Sequence, residues 1–113
     1  MRRARVGSSW ILVPEDRRER MRGLRGVPRL MGNEGLLLER CRSVHTFGMR
    51  FAIDAVVLDR HGRVVTVVRM APRRLLRPRR RGRHVLEVTA GAGPKWASLY
   101  CSGCPERASV PIV

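Results

Sequence analysis

Apolar positions in this chain come in short unbroken runs, punctuated by glycine, proline and arginine. Ala52 to Leu58 is apolar apart from Asp54, and Val64 to Met70 is apolar and β-branched. Between them, Asp59-Arg60-His61-Gly62 ends in a glycine that can take the positive φ a hairpin loop needs. Both faces of these two strands are apolar, so they are expected at the centre of a sheet covered on both sides. Ser8 to Val13, Leu36 to Leu38, Ser43 to Phe47, His84 to Thr89 and Ala108 to Val113 read as further strands. Asp16, with Glu19 three residues on and arginines after it, predicts a short helix that Gly23 and Pro28 end. Pro94 to Leu99 suits one more helical turn. Many short strands with little helix predict a mainly β fold, a small sandwich or barrel in one domain over residues 1–113.

Composition sharpens this picture. The chain has 113 residues, a length that suits one hydrophobic core. Lys95 is the single lysine among 24 basic residues, and nine acidic residues leave a formal charge of +15. Arginine keeps its proton at every relevant pH, so the field is permanent and attracts polyanions. Pro72 to Arg83 concentrates this charge in Arg73, Arg74, Arg77, Arg79, Arg80, Arg81 and Arg83, and reads as an exposed connection rather than core. No apolar run is long enough to span a membrane as a helix. The stretch before Pro14 lacks the apolar core of an export signal, so the expected compartment is the cytoplasm, with reduced thiols.

The residues themselves resemble a widespread prokaryotic family, domain of unknown function 192. Arg22-Gly23-Leu24 carries the likeness, followed by Ser43-Val44-His45-Thr46-Phe47-Gly48-Met49-Arg50-Phe51 and Ile53-Asp54. It continues through Leu58-Asp59, Gly62-Arg63-Val64-Val65, Pro72 and Val85-Leu86-Glu87-Val88 to Ala90-Gly91. The resemblance implies a compact, mainly β domain and brings no assigned activity. The segment 92–113 departs from the family pattern: Cys101 to Pro105 stands where a Gly-Asp pair usually opens the last strand.

Three sets of residues carry potential chemistry. Asp54 and Glu87 are carboxylates inside apolar strands, which is costly unless they are paired. With Arg50 as partner and Met49 nearby, neighbouring strands would bring them to one polar pocket, a ligand anchor or acid/base pair. A buried ion pair or loop clamp is the competing explanation. Cys101-Ser-Gly-Cys104 is a single C-x-x-C that would need Cys41 and His45 to complete a zinc site. Cys41, His45 and Met49 form a soft set suited to Cu(I), but residues four apart on a strand lie about 13 Å from each other. His61, in a hairpin tip, and His84, beside the arginines, are expected to be solvated. The arginine segment lacks interleaved aromatics for base stacking, so any nucleic-acid contact is expected through the phosphate backbone.

These readings place a non-catalytic binding or accessory domain first, with a small ligand or protein partner held near Met49, Asp54 and Glu87 and no cofactor. Polyanion binding, to nucleic acid or anionic lipid, through Arg73 to Arg83 is one alternative. A metal or thiol site on Cys41, His45, Cys101 and Cys104 is the other.

Overall fold

The structure, a computed structural model, describes residues 2–6, 8–22 and 33–99. Its elements in chain order are β1 (Arg2–Val6), β2 (Ser9–Val13), α1 (Arg17–Arg22), β3 (Glu34–Leu38), β4 (Val44–His45), β5 (Ile53–Leu58), β6 (Val64–Met70), β7 (Leu75–Leu76), β8 (His84–Thr89) and α2 (Gly93–Leu99). Six strands form one mixed sheet in the order β1-β2-β3-β8-β5-β6. Only β2 and β3 run parallel; the other pairs are antiparallel. β4 and β7 form a separate antiparallel ribbon.

Strand alternation divides the core between two faces. Leu36, Leu38, Ile53, Ala55, Val57 and Val85 point to one side, where Val44 and Leu76 of the ribbon and Met49 cover them. Ile11, Val13, Leu37, Val56, Leu86 and Val88 point to the other, where Trp96 of α2 packs on them. The Trp96 ring reaches the backbone of Gly35, where an added Cβ would stand 3.5 Å from the indole. Truncating that ring to alanine is worth about 3–5 kcal/mol of stability. The fold is therefore mainly β, with a β ribbon on one face of the sheet and a helix on the other.

Local chemistry fixes the ends. The Glu19 N–H donates to Asp16 Oδ1 at 2.8 Å, and the Glu15 N–H donates to Glu19 Oε1 at 3.1 Å, the reciprocal cap that starts α1. The loop joining β5 to β6 is held by Asp59, whose Oδ1 accepts the N–H groups of His61 and Arg63 at 2.8 and 2.9 Å. Gly62 there has φ 78°.

Three expectations are corrected, and one strand is added. β6 is an edge strand with a largely half-buried face, and the centre is β3-β8-β5; strand length and β-branching do not fix lateral position. β1 pairs with β2 although arginine-rich, because its outward arginines stack: the Arg3 guanidinium lies 4.4 Å and that of Arg5 5.7 Å from the Trp10 ring centre. The segment between Pro72 and Arg83 is not wholly surface, since Leu76 is buried on the core side of the ribbon. His84 is buried rather than solvated: it faces the Trp96 side opposite Leu58, and its Nδ1 accepts the Arg40 N–H at 3.0 Å. The strand expected over Ala108 to Val113 lies outside the described residues.

Candidate functional site

The two strand carboxylates are cross-strand neighbours with opposite orientations. Asp54 pairs in register with Val88, while Glu87 pairs with Ala55 and, on its other side, with Leu36. Residues directly opposite share a face, so Asp54 faces α2 and Glu87 faces the ribbon side. A single pocket holding both is not formed, because the register differs by one residue and one residue turns a side chain to the other face.

Asp54 is held by its own network. Its Oδ2 accepts the N–H groups of Gly91 and Gly93, each at 2.9 Å, and its Oδ1 accepts Arg69 Nε–H at 2.6 Å. The arginine partner is thus Arg69, directly across on β6, and not Arg50, which is exposed in the bend after Met49. The carboxylate is buried while the Arg69 side chain is 62% exposed. Gly93 is required at the junction: an added Cβ would lie 2.5 Å from Val67 Cγ1 and 2.7 Å from Asp54 Oδ2.

Glu87 has no comparable network. It is 4% exposed among Leu36, Ala55 and the apolar residues of that face. Burial disfavours the charged form and pushes its carboxyl up to about 7. Met49 is buried on the same side of the sheet.

The soft-ligand set is dispersed. Gly48, at φ 84°, bends the chain and turns Met49 inward, whereas His45 points outward and is exposed. Cys41 is half-buried against the core, and its Sγ–H donates to Ser43 O at 3.0 Å. No group of three His, Cys, Asp or Glu suited to a metal ion occurs among the described residues. Cys101 and Cys104 lie outside them.

The basic segment is divided between two places. Arg73, Arg74 and Arg77 flank β7 in the ribbon. Arg80, Arg81 and Arg83 instead meet the tip of the β5–β6 hairpin, where with Asp59, Arg60 and His61 they line an open cavity of about 370 Å³. Two contacts set this approach. The Arg83 N–H donates to Leu58 O at 2.8 Å, and the Gly82 N–H donates to Arg79 O at 3.0 Å, curling the loop over the strand end. Gly82 is buried, and a Cβ there would lie 3.0 Å from Val57 Cγ1. Partial burial works against ionisation of Asp59, but the N–H groups of Arg63 and His61 and nearby positive charge outweigh it and hold the carboxyl below its ordinary value. Asp59 therefore stays anionic and offsets one of the four arginines, leaving the cavity cationic. The sequence reading singled out the arginines of one segment; Arg60 and His61, from the other wall, carry no linear signal beyond their place in a hairpin tip.

With this geometry in hand, known proteins provide context. A family model named DUF192, described as uncharacterized ACR, matches residues 4–97. No curated protein matches the chain. Two crystal structures share the fold. A protein of unknown function from Novosphingobium aromaticivorans DSM 12444 matches with a TM-score of 0.67 at 16% identity, covering 82% of this chain and 74% of that one. A protein from Sinorhizobium meliloti 1021, named as a proposed transcription regulator, matches with a TM-score of 0.64 at 18% identity, covering 83% and 82%. At these identities the likeness speaks for the fold alone.

Proposed function

This chain belongs to the DUF192 family, and from that premise we propose that it is a non-catalytic binding domain whose ligand is a polyanion, engaged through its phosphate groups. The observation that carries the reading is the cavity where Arg60, His61, Arg80, Arg81 and Arg83 converge from two separate loops. Arginine suits phosphate because its planar donors pair with two oxygens at once. A net charge of +15 adds a long-range field that raises the local concentration of such a ligand. The alternative of a small ligand between Asp54 and Glu87 has less support, because Asp54 is occupied by three donors on the face opposite Glu87.

Titration of the full chain with a fluorescent DNA duplex tests this. Binding at low salt that weakens steeply as salt rises supports the proposal, because released counterions drive phosphate contacts. Absence of binding at low salt to the duplex and to a single strand alike removes it.

A further inference from the structure

The ribbon presents a second feature that the cavity does not use. Val44 and Leu76 face the core, so their neighbours His45 and Leu75, paired in register, face outward. Phe47, two residues beyond His45, is 52% exposed and Leu75 is 63% exposed; they are the large hydrophobic side chains left exposed among the described residues. The rings of His45 and Phe47 stand 5.6 Å apart, tilted by 44°. Thr46 ties this aromatic pair to the basic segment. Its N–H donates to Arg74 O at 2.9 Å, its carbonyl accepts the Arg73 N–H at 3.2 Å, and its Oγ1 accepts the Arg74 N–H at 2.8 Å. The aromatics missing from the arginine segment in sequence are thus supplied beside it in space, from 28 positions away.

Building on the polyanion reading, we infer that the ligand is a single-stranded nucleic acid, with a base stacked on Phe47 beside His45 and the adjoining phosphates held by Arg73, Arg74 and Arg77. Exposed aromatic faces next to cations are how proteins hold unpaired bases, whereas a duplex keeps its base faces buried in its own stack. An anionic bilayer fits less well: inserting Phe47 and Leu75 would carry the His45 imidazole between them out of water.

The experiment compares a fluorescent oligothymidylate with a duplex of equal length, using the wild-type chain, Phe47→Ala, Phe47→Trp and the double variant Arg80→Ser/Arg81→Ser. Thermal melts confirm that each is folded. Phe47→Ala is expected to weaken single-strand binding by about 5- to 150-fold, the equivalent of one lost base stack, and to leave duplex binding unchanged. Phe47→Trp is expected to retain single-strand affinity. If Phe47→Ala binds both strands as the wild type does, or weakens both equally, the stacking inference falls while duplex binding still upholds the polyanion reading. If the wild type binds neither at low salt, both fall. If Phe47→Ala loses binding to phosphatidylserine vesicles but keeps oligothymidylate binding, the surface is a membrane contact and the inference is overturned.

Discussion

Asp54 Oδ2 and the Gly93 N–H, 39 positions apart in the chain, meet at 2.9 Å and fasten the start of α2 to the sheet. The same oxygen accepts the Gly91 N–H at 2.9 Å, and Arg69 completes the set at 2.6 Å. The buried charge is thereby shared among three donors, so it is a tether for the helix that carries Trp96.

Replacing Asp54 with alanine should lower stability by about 1–3 kcal/mol, since it strands the buried Gly93 N–H, while Arg69, 62% exposed, regains water. Urea unfolding of the variant checks this. An unchanged midpoint would mean that α2 is held by packing alone.

Gly93→Ala separates helix propensity from fit. Alanine favours a helix over glycine by about 1 kcal/mol. Here its Cβ would lie 2.5 Å from Val67 Cγ1, an overpacking that costs about 1–3 kcal/mol. The expected net result is destabilisation in a thermal melt; a stabilised variant would show that the α2 junction is looser than described.

Glu87 predicts a distinct pH dependence. Its folded carboxyl titrates at about 7 against an ordinary 4.5. Proton uptake therefore favours the folded state between those values, and stability falls as pH rises from 4.5 to 7 and levels above. Glu87→Gln removes this limb. Its stability relative to wild type should improve by about 3 kcal/mol between pH 4 and pH 8. Parallel curves for the two proteins would show that Glu87 is solvated.

His84 acts in the opposite sense. Burial first, with lesser effects from nearby charges, lowers its imidazole below the ordinary 6.5. Protonation then favours the unfolded chain, so stability present above pH 6.5 is lost as pH falls through the folded value. Its buried Nε2 has no hydrogen-bond partner. His84→Gln should flatten the acid limb in urea midpoints taken from pH 7 down to pH 5. An unchanged limb would assign acid sensitivity to other groups.

Much of the sheet was legible because its strands are written as runs of valine, leucine and isoleucine bounded by turn residues. β6 and β8 fall on the expected residues, and Asp16 and Glu19 mark the start of α1. What the sequence could not give was register. Knowing that the strands of Asp54 and Glu87 are neighbours leaves open whether they share a face, and one residue of offset decides it. The same limit hid the ribbon: Leu75 and Leu76 are only two apolar residues in an arginine-rich stretch, and their role depends on Val44 and His45 across from them. The cavity is a property of two loops that linear order keeps apart.

The most direct measurement is the salt dependence of duplex binding by the wild type and by Arg80→Ser/Arg81→Ser. On logarithmic axes, each phosphate contact contributes a slope of about −0.9. Binding through the cavity predicts a wild-type line steeper than that of the double variant by about 2 units, for two lost contacts. Identical slopes would show that the cavity arginines touch no phosphate and would contradict the proposed function.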